Sequence, residues 1–144
     1  MNTVSNDVLS QKLDSLARCL ARIESKKPFA LEKLLQDFDL QDILAINIER
    51  AVQICADISA HCISQSGEPI AAPVTLSEGF RALANLGWIT AETGEQMARA
   101  AGFRNIAVHE YQRVNWAIAY AVAHQHLDDF RGFARQVAEK AGLV

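Results

Sequence analysis

The feature that most constrains this chain is a helical apolar period near its start. Leu9, Leu13, Leu16, Leu20 and Ile23 alternate four and three residues apart. That spacing lines one face of an α-helix, whereas a strand repeats every second residue. A second stripe, Ile43/Leu44, Ile48, Ala51/Val52, Cys55, Ile58/Ser59 and Cys62, predicts another long helix from about Gln41 to Ser64. Seven Gly and three Pro in 144 residues are too few for a turn-rich β fold. No segment of useful length follows a strand period and no internal repeat is visible. The expected fold class is all-α, an up-and-down four-helix bundle. Residues 1–144 form a single domain by length.

Helix boundaries follow from local chemistry. Ser5, Asn6 or Asp7 is the expected cap of the first helix, and Lys26-Lys27-Pro28 its end. Phe29 to Phe38 is a connection with a helical turn or two. Gln65-Ser66-Gly67-Glu68-Pro69 breaks the second long helix. Thr75 or Ser77 caps a third, which holds Phe80, Leu83 and Leu86 and stops at Gly87. Thr90-Ala91-Glu92 opens a fourth that leads to Gly102. A last long helical segment is expected from there through Trp116 and Tyr120, with Phe130, Phe133 and Val137 completing the apolar pattern.

Composition excludes several classes. Hydrophobic residues at 50% and charged residues at 22% suit an ordinary globular protein. A formal net charge of −3 argues against a generic nucleic-acid coat protein, yet leaves room for an RNA enzyme with a local basic patch. The N-terminus is polar, without the apolar core of a signal peptide, and no apolar run reaches membrane-spanning length. The expectation is a cytoplasmic protein with no membrane partner. Cys19, Cys55 and Cys62 lack Cys-x-x-Cys spacing and read as buried free thiols in a reducing compartment. No Gly-rich phosphate loop or nucleophile elbow is present, and no cofactor is expected.

The chemistry concentrates in Arg104-Asn105-Ile106-Ala107-Val108-His109-Glu110-Tyr111. Arginine grips phosphate bidentately, and an unperturbed imidazole titrates near ~6.5. Attack by an RNA 2′-hydroxyl needs a base, an acid and cationic donors for the charge that builds on phosphate. His109 suits the proton transfer and Arg104 the phosphate. Asn105 could fix the imidazole tautomer or hold phosphate, and Tyr111 could donate a hydrogen bond. On a regular helix Arg104 and His109 lie about 140° apart, whereas Asn105 and His109 share a face. Either Arg104 reaches round, or the helix starts or bends near Gly102, and glycine's poor helix propensity favours the latter. One histidine serves poorly as both acid and base, so a second copy across a two-fold axis is attractive. Arg99 and Arg113 add positive charge nearby, diluted by Glu95 and Glu110. Simple packing also accounts for Tyr111, which falls on an apolar stripe. His124 and His126 flank Gln125 and face apart on a helix, which suits a solvated or helix-terminal role better than a metal site.

The octet and its surroundings resemble the HepT-like family of HEPN ribonuclease toxins, the partners of MNT-type minimal nucleotidyltransferase antitoxins. Gly102-Phe103-Arg104-Asn105-Ile106-Ala107-Val108-His109-Glu110-Tyr111 matches the family's Arg-x4-His-x-Tyr signature. Leu13 to Ile23, Asp39 to Leu44, Asn47 to Gln53, Cys55 to Ile58 and His126 to Phe130 are similar to other parts of the family's chain. The resemblance implies a HEPN-like four-helix bundle with an extra short helix, active as a homodimer whose two motifs face one cleft. It implies a metal-independent endoribonuclease toxin of a type II/VII-like toxin–antitoxin pair, acting on tRNA or mRNA. Arg104 and His109 would be catalytic, Asn105 supporting, and Tyr111 the tyrosine that the cognate nucleotidyltransferase antitoxin modifies with AMP. An adenylyl group there adds bulk and negative charge beside the phosphate site. The alternative is a non-catalytic helical module that binds a nucleotidyltransferase or its nucleotide substrate. Arg113, Asn115 and Trp116 depart from the acidic stretch expected after the motif.

Overall fold

The second apolar stripe becomes the axis of the molecule. The computed structural model describes residues 3–67, 75–109 and 114–143, with side chains at 6–67, 75–104 and 114–143. Seven helices follow one another among them: α1 (Thr3–Lys26), α2 (Leu31–Gln36), α3 (Phe38–Gln65), α4 (Leu76–Asn85), α5 (Ala91–His109), α6 (Trp116–Gln125) and α7 (Leu127–Lys140). The long helices α1, α3, α5 and α7 make the bundle, and the short ones fill its corners. α3 packs against every other helix. Leu44, Ala45, Ile48, Ala51, Val52, Cys55, Ile58 and Cys62 are all buried on it, a wider apolar arc than a surface helix carries. Leu16 and Ile23 of α1, Phe80 and Leu83 of α4, and Phe130, Phe133 and Val137 of α7 close the core around it. Phe80 and Phe133 meet edge to face, with centroids 5.9 Å apart.

Caps set the helix boundaries. Asp37 starts α3 by accepting from the Leu40 N–H at 3.0 Å. Thr75 starts α4 by accepting from the Glu78 N–H at 3.1 Å. Ser77, the other candidate cap, instead donates to the Ala98 carbonyl on α5. Gly87, at φ +85°, ends α4 in a conformation costly to other residues. Its N–H donates to the Ala84 carbonyl, and the Trp88 N–H to that of Leu83, a Schellman stop. α1 begins at Thr3, earlier than the Ser5–Asp7 caps expected.

α4 and α5 lie close together because residue 94 is glycine. A Cβ there would sit 3.0 Å from the Ala84 Cβ. The start of α5 is then tied to α7. Thr90 Oγ1 accepts from the Thr93 N–H, the Gln136 carboxamide oxygen accepts from the Thr90 N–H at 2.8 Å, and Gln136 Nε2 donates to Thr93 Oγ1 at 2.8 Å. This clamp fixes where α5 begins, and hence where it points.

Two glycines on α5 give opposite expectations. Nothing lies within 4 Å of a Cβ placed on Gly102, so Gly102→Ala should stabilise by about 1 kcal/mol, or about 2–4 °C in Tm. Gly94→Val should destabilise by about 1–3 kcal/mol through overpacking against α4. Thermal unfolding of both variants measures the two signs.

Candidate active site

The clamp at Thr90 fixes the start of α5, whose last two turns carry Arg104 to His109. Arg104, Asn105 and His109 all lie on α5, which runs unbroken through Gly102 to His109. The helix neither starts nor breaks at Gly102, contrary to the sequence expectation. Gly102 is exposed in helical conformation, where glycine costs only about 1 kcal/mol, too little to end a helix fixed by packing at both sides. Arg104 and His109 are thus about 140° apart around one continuous axis, while Asn105 and His109 share a face. The side chains of Asn105 and His109, and all of Tyr111, lie outside the described residues, as do Glu110 and Arg113.

Arg104 is partly buried, and its Nε–H has no hydrogen-bond partner among the described residues. Burying a guanidinium N–H without an acceptor is costly, and such groups concentrate where a ligand completes them. The neighbouring Phe103 is buried against the core. Glu95 faces Arg81 first and the Arg99 charge only second. Its carboxylate takes a two-point grip from Arg81 Nε at 2.9 Å and Nη2 at 3.2 Å. Hydrogen bonding to Arg81 holds the Glu95 carboxyl below the usual range and pushes the arginine up. Arg99 on the following turn is exposed.

The segment after the motif departs from the expected single helix through Trp116 and Tyr120. Asn115 takes an extended conformation, φ −83° and ψ 104°, and starts α6 anew. Its side-chain oxygen accepts from the N–H groups of Ala117 at 3.0 Å and Ile118 at 3.4 Å. Asparagine favours such capping over a helix interior, a signal present in Asn115 that the continuous aromatic spacing obscured. Trp116 and Tyr120 pack partly buried against the core, so they belong to the bundle.

Between α5, α6 and α7 runs an open groove of about 570 Å3, with Phe103, Ile118, Val122 and Phe130 on its walls and Arg99, Asn115, His126 and Asp129 at its edges. Ile118 is 46% exposed. His126 occupies the α6–α7 corner, with Nδ1 3.0 Å from Asp129 Oδ2, the helix-terminal role expected. His124 goes further than a solvated role. Its Nε2 lies 2.5 Å from the Pro28 carbonyl and its ring stacks on Tyr120 at 4.2 Å, pinning the α1–α2 connection to α6. Among the described residues no cluster of three His, Cys, Asp or Glu could hold a metal, and no helix is long and apolar enough to cross a membrane. Cys55 and Cys62 are buried as expected, whereas Cys19 is only partly so. Burial pushes the Cys62 thiol up to about 12.

A helical bundle whose third long helix ends on the Arg104 to His109 segment, in a chain that carries the Arg-x4-His-x-Tyr sequence, defines a HEPN-type nuclease scaffold. The chain belongs to the ribonuclease HepT-like family, whose profile matches residues 16–137. It is 34% identical over 128 residues to the mRNA nuclease HepT of Shewanella oneidensis, covering 89% of this chain and 94% of that protein. It is 24% identical over 139 residues to the tRNA nuclease HepT of Aphanizomenon flos-aquae, covering 95% and 92%. Among solved structures, the tri-AMPylated Shewanella oneidensis HEPN toxin in complex with MNT antitoxin superposes with a TM-score of 0.84. That match has 32% identity and covers 96% of this chain and 99% of that one. The Bacillus subtilis protein YutE shares the fold at a TM-score of 0.80 with only 13% identity.

The cap at Asn115 carries its own test. Asn115→Ala should cost about 1 kcal/mol, read from urea unfolding, whereas Asn115→Asp should hold stability close to wild type.

Proposed function

We propose that this chain is a metal-independent endoribonuclease toxin that cleaves cellular RNA, mRNA or tRNA, by 2′-hydroxyl attack. The observation that carries the reading is the placement of the Arg-x4-His pair on the last turns of one unbroken helix, in a chain similar over most of its length to two HepT nucleases. Arg104 supplies the fork that binds the scissile phosphate and its growing charge. The unpartnered Nε–H supports this role, because an incoming anion would recruit the donor that the fold leaves unsatisfied. His109 transfers the proton. Asn105, one turn before it, supports the imidazole or the phosphate.

The angular separation of Arg104 and His109 favours a site made by two copies. A single helix presents the two residues about 140° apart, and a two-fold axis near the end of α5 would bring the arginine of one copy toward the histidine of the other. The same symmetry gives the dimer two such Arg104–His109 pairs, each a site of its own. The apolar groove beside α5, with Ile118 exposed on its wall, offers surface for such an association.

Control follows from the same chemistry. A nucleotidyltransferase antitoxin of the MNT type binds the toxin and transfers AMP to the Tyr111 hydroxyl with release of pyrophosphate. The added phosphodiester places negative charge two residues beyond His109 and repels RNA. The related toxin solved in tri-AMPylated form with its MNT antitoxin supports this reading.

Purified protein with excess chelator should cleave RNA, and His109→Ala or Arg104→Ala should lower the rate by about 100-fold or more. Cleavage that needs added divalent metal, or persists in His109→Ala, would contradict the mechanism. Incubation with the cognate nucleotidyltransferase and ATP should raise the intact mass by adenylyl units, and Tyr111→Phe should abolish that shift. A shift retained in Tyr111→Phe would move the modification elsewhere.

A further inference from the structure

A second concentration of positive charge lies between α1 and α3, on residues outside the Arg104–Tyr111 octet. Ser15, Arg18, Cys19 and Arg22 of α1 and Asp42, Ile43, Ile46 and Arg50 of α3 line a groove of about 540 Å3. The α1 residues recur at i, i+3, i+4 and i+7 and so form one helix face. Arg18, Arg22 and Arg50 are all exposed, and partial burial pushes the Cys19 thiol up while the guanidiniums of Arg50 and Arg18 oppose that rise. Asp42 is the one carboxylate on the groove wall, so the local charge is positive in a chain whose formal net charge is −3.

Two exposed arginines elsewhere are paired with carboxylates. Arg81 grips Glu95, and Arg131 binds Asp128 at 2.9 Å. In the groove, Arg18 donates instead to the Ser15 hydroxyl at 3.0 Å, and Arg22 and Arg50 enter no ion pair among the described residues. The groove floor is aliphatic, and Ile46 is 43% exposed. Guanidiniums over an apolar floor suit a nucleic-acid strand, since the fork binds phosphate and the flat guanidinium face stacks on bases. Arg18 and Arg22 stand one helical turn apart, about 6 Å, a step comparable to that between neighbouring phosphates of an extended single strand.

We propose that this α1–α3 groove is a second RNA-binding surface that holds the phosphodiester backbone of single-stranded substrate outside the cleavage site. The inference rests on the ribonuclease reading and deepens it. It gives a net-acidic protein the local electrostatic grip on RNA that its overall charge withholds.

Cys19 is a built-in reporter, because Cys55 and Cys62 are buried and only Cys19 is partly accessible. The test uses the whole wild-type chain and a single-stranded RNA whose 2′-hydroxyls are methylated, which can be bound but not cleaved. Alkylation of Cys19 by N-ethylmaleimide should slow several-fold when that RNA is added. Binding of the same RNA should weaken by about tenfold or more in Arg18→Gln/Arg22→Gln/Arg50→Gln, and the slope of log affinity against log salt should fall by about 2. The corresponding Lys variant should recover much of the affinity. Unchanged Cys19 alkylation with RNA bound overturns the proposal while leaving the ribonuclease reading intact. Unchanged affinity in a folded Gln variant does the same. Failure of wild type both to bind and to cleave RNA overturns both. Protection of Cys19 by the antitoxin and not by RNA also overturns it and assigns the groove to a protein partner.

Discussion

Burial of α3 is the constraint on which the rest of the molecule depends. Its apolar arc, from Leu44 to Cys62, is too broad for one neighbour to cover, so the remaining helices gather around it. Each contributes a narrower stripe, such as Leu16 and Ile23 from α1 or Phe130, Phe133 and Val137 from α7. The driving force is removal of apolar surface from water. Specificity comes from small polar devices at the edges. Asn47, buried on α3, satisfies its side-chain amide on the Ile43 carbonyl at 2.8 Å, while the buried Ser59 hydroxyl has no described partner and nothing in the structure explains it.

The site depends on this scaffold through α5. Its beginning is fixed by the Thr90, Thr93 and Gln136 clamp. Its flank is fixed by Gly94 against Ala84 and by the Arg81–Glu95 pair. A helix held this firmly along its first half needs no bend to carry Arg104 and His109, and it shows no break before the last of them. The arginine is left with a desolvated donor short of an acceptor. The tight packing and hydrogen bonds thus sit at the start of α5, ahead of Arg104 and His109.

Much of this was legible in the residues because period and punctuation agreed. The stripes of α1 and α3 gave two of the four bundle helices, and Thr75, Gly87 and Thr90 marked boundaries that recur in the fold. The misreadings share a cause. Intrinsic preference marks Gly102 as a break and aromatic spacing runs a helix through Asn115, whereas tertiary packing keeps Gly102 helical and a local cap makes Asn115 a start. The Gln136 clamp was beyond reach, since it joins residues 46 apart in sequence. The same holds for His124, whose partner Pro28 is 96 residues away. Arg50 shares no spacing with Arg18 and Arg22 in the sequence and meets them only where α1 packs on α3. The motif suggests phosphodiester chemistry, and similarity along residues 16–137 places the chain in the ribonuclease HepT-like family.

The central claim is that an unbroken α5 makes the reaction centre a joint property of two copies, with Arg104 from one and His109 from the other. Mixing two inactive proteins tests it most directly. Arg104→Ala and His109→Ala, each purified, are combined, allowed to exchange subunits and assayed on RNA with chelator present. A mixed dimer retains one complete pair, so the mixture should regain about a quarter of wild-type activity if exchange is random. A mixture that exchanges subunits yet stays as inactive as its components would show that both residues act from the same chain, and would contradict the account.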